Sequence, residues 1–423
     1  MPSEFNHIQA YEHIEKGQQL ESLGFLDEAM LEFKRAVEAD PRIAAAHNAL
    51  GHHYRRKGLL TKAADEFRSA VLLSGDYESC FSLGRVLTEL ERYEEAVEAF
   101  RQCLAQDPAD PSVRYELGYA LCALGQFDEA LAHFQALSEE YPEDWELKFA
   151  QADCYMGKGD YEQAERLLIE AWHGAAPNED TSQLREALLM VRRHMEFAGR
   201  SELGLKDRLY RDFGVICLGS GRDNGLDIPI YEEYTFTYKD VAVTTARLMR
   251  LIRAHEWEFT AVVSMDDNSL PLAIVLSQLL QVPMLSTEEL REDDFVLAVL
   301  AVADKPELYE VIFEHTPGRM LSFALALNWP LEEGLVTDII GVYCSGECVL
   351  PWKRIRKRSP EAAATSLLRA LAIVPDEDNL REQIAYYTQE HKLLRFFDYS
   401  EDFAALEAQI SNDQMNNDQL ANQ

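Results

Sequence analysis

The sequence predicts two architectures in one chain: an α-helical repeat solenoid of about five units, then an α/β domain with a mostly parallel sheet and C-terminal helices. Three observations carry this. A pattern of small and bulky residues recurs every 33 or 34 residues in segments starting near Ala10, Ala44, Tyr77, Pro111 and Trp145. From Asp212 onward that pattern gives way to apolar runs of strand length separated by single amphipathic helices. The 423 residues, 47% hydrophobic and 27% charged, are enough for two or three domains with a sizeable core, with no need of disulfides or structural metal.

Each repeat carries a doublet in its first half and, in its second, an Ala followed four residues later by a bulky residue. The second to fourth read Leu50-Gly51 with Ala63 and Phe67, Leu83-Gly84 with Ala96 and Phe100, and Leu117-Gly118 with Ala130 and Phe134. The first has Lys16-Gly17, Ala29 and Phe33, the fifth Gln151-Ala152, Ala164 and Leu168, and Pro41, Pro108 and Pro142 close units. Small residues let two helices approach, and the Phe fills the space left over. Glycines after Leu23, Lys57, Leu124 and Lys158 sit where a helix must stop in the left-handed region. These residues resemble the tetratricopeptide repeat, although His13, His47 and Cys80 stand where that family usually has Trp. A capping helix is expected over Thr181 to Ala198, with Leu184, Leu188, Val191 and Met195 on one face. The array is bounded at residues 7–205.

The resemblance implies that the first helix of each unit lines a concave groove, with four positions per unit pointing into it. Those positions hold Tyr11, Gln18, Asn48, His52, Arg55, Phe81, Arg85, Tyr115, Tyr119, Phe149 and Asp153. The set is aromatic and locally basic, which suits an extended peptide: rings give contact area at small entropic cost, and Arg55 and Arg85 can pair with carboxylates or carbonyls. The alternative is that some rings pack within their own helix pair. The Lys and Asn set by which this family clamps chaperone tails is not matched.

In the second domain, bounded at residues 212–352, the strand-like runs are 213–219, 261–265, 282–285, 295–302, 320–327 and 338–344. Their near-continuous Val, Leu, Ile and Ala imply burial on both faces, hence a parallel sheet covered by helices over 240–255, 270–281 and 306–315. The stretch from Phe259 to Leu285 resembles the strand, loop, helix and strand that carry the pyrophosphate loop of type I phosphoribosyltransferases. That family places Gly and a cation in the loop; here stand Met265, Asp266, Asp267, Asn268 and Ser269. Its Thr-Thr-Gly phosphate cradle has no counterpart after Val302. Asp266, Asp267, Asn268 and Ser269 are thus a possible ligand loop, set against the commoner role of Asp267, Asn268 and Ser269 as a helix cap.

Cys344 and Cys348 flank a Ser-Gly segment that reads as a hairpin turn, either as two half-buried thiols or as a redox-sensitive pair. Residues 353–410 read as C-terminal helices, opening on the one dense basic run, Lys353 to Arg358, and residues 411–423 as a disordered tail. Against 40 Lys and Arg, 74 Asp and Glu give a net charge of -34, which disfavours general nucleic-acid binding and anionic membrane surfaces. Seven scattered Cys without a CxxC pair fit a reducing compartment, and a cytoplasmic location is expected.

No metal-ligand spacing, cofactor motif or catalytic constellation assembles from these residues. The sequence therefore points to a non-enzymatic interaction or adaptor protein that binds a protein or peptide segment in the concave groove. The alternative is an enzyme or sensor for a nucleotide or phosphoribosyl ligand, with the repeats recruiting its target.

Overall fold

A computed structural model describes residues 4–176, 181–304, 318–328, 337–354, 359–374 and 379–395. The chain divides into two compact units, residues 1–184 and 185–423.

The first unit is a run of ten helices in sequential pairs: α1 (Glu4–Ser22) with α2 (Leu26–Ala39), α3 (Ala44–Arg56) with α4 (Leu60–Ser74), α5 (Tyr77–Glu89) with α6 (Tyr93–Gln106), α7 (Pro111–Ala123) with α8 (Phe127–Glu140), and α9 (Trp145–Lys158) with α10 (Tyr161–Gly174). Three of the first helices start on an aspartate cap. Asp76 accepts from the Ser79 amide at 2.8 Å, Asp110 from Ser112 and Val113 at 2.8 and 3.1 Å, and Asp144 from Glu146 and Leu147 at 2.9 and 3.3 Å. Within four pairs the glycine of the first helix faces the phenylalanine of the second, Gly17 on Phe33, Gly51 on Phe67, Gly84 on Phe100 and Gly118 on Phe134. A Cβ on any of these glycines would stand 2.5–2.8 Å from the ring, so the close approach exists only because that atom is missing. The third turn has no glycine, and Glu91 takes the left-handed conformation there (φ 58°).

The histidines in place of Trp have a role of their own. His13 Nδ1 lies 2.6 Å from Glu32 Oε2, and His47 Nδ1 lies 2.7 Å from Glu66 Oε2. The same pairing thus recurs in successive repeats. His47 Nε2 also meets the Pro41 carbonyl at 3.0 Å, and the Glu66 carboxylate raises the His47 pKa against the opposing effect of burial.

The second unit is built on a six-stranded, wholly parallel sheet in the order β1-β7-β6-β5-β3-β4, where β1 is Ile216–Cys217, β3 Ala261–Ser264, β4 Met284–Leu285, β5 Phe295–Ala303, β6 Arg319–Leu327 and β7 Ile339–Tyr343. Along β5, Leu297, Val299 and Ala301 join one apolar cluster with α13 (Tyr238–Ala254) and α14 (Leu270–Leu280), whereas Leu300 and Ala303 join another with α12 (Leu205–Phe213). Both faces are covered, as the apolar runs require. The anticipated helix over 306–315 lies outside the described residues.

Three expectations change here. The presumed capping helix is α11 (Ser182–Glu196), and the division between units falls inside it. Buried Arg193 donates to the carbonyls of Arg211 and Leu393 at 3.2 Å, and Glu196 Oε2 meets His391 Nδ1 at 2.6 Å, so its second half is bonded into the α/β unit. The helix set apart at the C-terminus, α15 (Pro360–Leu371), places Ala363, Ala364 and Leu367 in the same core as α13 and α14. The hairpin at Cys344 to Cys348 is not formed: β8 (Cys348–Val349) pairs in parallel with β2 (Tyr234–Thr235), so the turn crosses to a second sheet. An amphipathic pattern shows that a face is buried, but not against which element. Burial, with the neighbouring Cys344 thiol adding to it, pushes the Cys348 thiol up.

Candidate functional site

The groove positions of the first unit fall into three groups. Asn48 is buried: its Nδ2 donates to Ser79 Oγ at 2.9 Å, tying α3 to α5, so it is a strut between repeats and not a contact surface. His52 packs edge-on against Phe67 with ring centroids 4.9 Å apart, and burial holds its pKa down. The two arginines are engaged across repeats: Arg55 Nη2 lies 2.6 Å from Glu89 Oε1, and Arg85 Nε lies 3.5 Å from Glu116 Oε1. The local basicity expected from the sequence is therefore cancelled.

The rings form the third group. Phe81 stacks on Tyr77 at 5.9 Å, and the Arg85 guanidinium lies over the Phe81 ring, 5.9 Å from its centroid. Tyr115 meets Phe134 edge to face at 5.7 Å and is half-buried, while Tyr119 is 48% exposed. Tyr11 is exposed and rests edge-on against His7 at 5.2 Å; Gln18 is exposed, and Phe149 is half-buried. Asp153, half-buried on α9, has its pKa pushed up to about 6 by burial alone. A cavity of about 330 Å³ opens beside Tyr115, between α7, the end of α8 and the start of α9.

In the second unit, β3 lies between β4 and β5, so the chain leaves β3 toward the sheet edge and returns on its other side. Ligands of open α/β sheets bind at such reversals, and the loop 265–269 sits there. Asp266 and Ser269 are turned inward, whereas Asp267 is exposed. Asp266 Oδ1 accepts from the Ser269 amide at 2.8 Å and from Ser269 Oγ at 2.5 Å; Ser269 Oγ in turn accepts from the Ala301 amide of β5 at 2.7 Å. The Asn268 carbonyl accepts from Trp352 Nε1 at 3.0 Å. The start of α14 is therefore held by Asp266, and Ser269, the N-cap residue, makes no side-chain cap bond.

A further feature of this unit escaped the sequence reading. After β1 the chain runs Gly219-Ser220-Gly221-Arg222-Asp223-Asn224-Gly225, three glycines in seven residues, and borders an open cleft of about 1020 Å³ with Gly204, Asp207, Asp227 and Pro229. Its density of glycine directly after a strand is the signal that could have found it. The loop is pinned by Asp223, which accepts from Arg247 Nη1 at 3.0 Å, from the Ser220 amide at 2.7 Å and from the Gly225 amide at 2.9 Å. Gln383 Nε2 adds bonds to the carbonyls of Leu218 and Gly225 at 2.9 and 2.6 Å. Among the described residues no group of three or more His, Cys, Asp or Glu is placed to hold a metal ion, and no helix is long and apolar enough to cross a membrane.

Comparisons with known proteins agree with the first unit. Tetratricopeptide repeat models match residues 14–78, 87–144 and 123–188. Among solved structures, the chain is similar to YrrB, described as a TPR protein with an unusual peptide-binding site, at 26% identity and a TM-score of 0.38 over 42% of this chain and 88% of that one. MamA is similar at 21% identity and a TM-score of 0.37 over 39% and 91% of the two chains. MamA from Desulfovibrio magneticus RS-1 is similar at 18% identity and a TM-score of 0.37 over 41% and 96%. No curated protein matches the chain. The recurring Gly-Phe contacts, the paired helices and the matched models together identify the N-terminal unit as an array of tetratricopeptide repeats.

Proposed function

We propose that the protein is a non-enzymatic interaction protein whose repeat array holds an extended peptide segment of a partner along the first helices, while the α/β unit docks a second partner or a small ligand. The observation that supports the groove is the row of accessible rings, Phe81, Tyr115 and Tyr119, on successive first helices. Between and beside them, the arginine-carboxylate pairs Arg55–Glu89 and Arg85–Glu116 link one repeat to the next. Rings fixed on rigid helices give contact area with little entropy left to lose. In the α/β unit, the strand, loop, helix and strand from β3 to β4 lie in the order of the phosphoribosyltransferase resemblance, but the inward turn of Asp266 and Ser269 supports a structural loop.

The test uses the full chain as bait, with captured proteins identified by mass spectrometry. Tyr119→Ala removes a half-exposed ring and should alter stability by less than about 0.5 kcal/mol, yet lower capture several-fold. Unchanged capture by this variant and by Phe81→Ala would remove the groove as the binding face.

A further inference from the structure

The cavity beside Tyr115 is lined by rings and carboxylates. Its wall is formed by Pro111, Tyr115 and Glu116 of α7, Tyr141 at the end of α8, and Asp144 and Leu147 at the start of α9, with Ser112 and Leu137 completing it. Two rings and two carboxylates face about 330 Å³ of space, and no Lys, Arg or His contributes to the lining. The cations nearest in sequence are directed elsewhere: Lys148 Nζ lies 3.7 Å from Glu170, and Arg114 Nη2 donates to the Pro108 carbonyl at 2.6 Å. Arg85 reaches Glu116 only at 3.5 Å, leaving that carboxylate loosely paired. Burial raises the Tyr115 phenol, and the surrounding charges of Glu146, Glu116, Asp144 and Asp153 raise it further.

We propose that this cavity takes a Lys or Arg side chain of the bound peptide, so that the partner segment is basic at the position that reaches α7, α8 and α9. Charge complementarity supports this occupant. An aromatic face attracts a cation through its quadrupole, and a carboxylate at the same mouth adds a charge-assisted hydrogen bond. An acidic residue entering the same space would be repelled by Glu116 and Asp144, and no cation lines the cavity to receive it. An apolar residue would fill the space but bury the loosely paired Glu116 carboxylate further, with nothing new to pair it. The inference rests on the groove reading and adds the chemistry of the partner to it.

The experiment is a selection from a library of random twelve-residue peptides on the immobilised full chain, followed by affinity measurements on the enriched sequence. The expected result is one fixed Arg or Lys among otherwise variable positions, and binding that falls with Tyr119→Ala. Replacing that basic residue by Gln should weaken binding about tenfold to the parent protein but less than about twofold to Glu116→Gln, the coupling expected of a direct pair. An enriched sequence that needs Tyr119 but carries an acidic or apolar residue at the fixed position, or a basic residue uncoupled from Glu116, overturns this inference and leaves the groove reading standing. No enriched sequence, or one indifferent to Tyr119→Ala, overturns both.

Discussion

Gly84→Ala tests whether the repeat is built on a missing Cβ. An ideal Cβ at Gly84 stands 2.5 Å from Phe100 Cε1 and 2.8 Å from Cδ1 and Cζ. Unstrained carbons sit roughly 3.5–4.0 Å apart, so the overlap is about 1 Å. Phe100 is fully buried, with Phe81 at a ring distance of 6.2 Å, and has nowhere to turn. Overpacking of this kind costs about 1–3 kcal/mol. The better helix propensity of Ala returns about 1 kcal/mol. The net expectation is a loss of about 1 kcal/mol, seen as roughly fivefold faster hydrogen exchange at the amides of α5 and α6 in the full chain.

Gly157 is the control. Its Cβ would come closer still, 2.2 Å from Phe127 Cζ, but Phe127 is only half-buried and its ring can swing away. Gly157→Ala should therefore be neutral or slightly stabilising although its distance is the shorter. A Gly84→Ala protein that exchanges more slowly than the parent would show that the propensity gain wins, and the close-approach account of the array would fail.

Two other outcomes follow from buried charge. The side chains of Asp223 and Arg247 are 2% and 1% exposed, so Asp223→Ala leaves an uncompensated guanidinium and should lower thermal stability by about 3–5 kcal/mol; a change below about 1 kcal/mol would mean that the loop 219–225 is not held by this pair. Asp153, whose folded pKa of about 6 lies above its ordinary 3.8, favours folding fully below about pH 4, and that contribution is lost as pH rises through 6. Asp153→Asn should thus be more stable than the parent at pH 7.5, with the difference fading by pH 4; a difference independent of pH in thermal melts would refute the assignment.

Local patterning carried far in this chain where the interaction is periodic. A glycine and a phenylalanine 16 residues apart, repeated at Gly51 and Phe67, Gly84 and Phe100, Gly118 and Phe134, can be read from the sequence because each pair is a local helix contact copied from unit to unit. The central strands of the parallel sheet were legible for a similar reason, since burial on both faces of β3, β5, β6 and β7 leaves continuous apolar runs. What was not legible depends on partners far apart in sequence. Tyr387 hydroxyl accepts from the Cys217 amide at 2.9 Å across 170 residues, and nothing near either residue announces the other. The groove shows the same limit in its electrostatics: Arg55 and Arg85 look free in the sequence, yet each finds a carboxylate about one repeat further on, Glu89 and Glu116. A repeat period brings position n beside position n plus 34 or so, so charge in such an array has to be read down the stack of repeats and not along the helix. On that reading Arg55 and Arg85 bring no free positive charge to the first helices, and what they leave accessible there is aromatic.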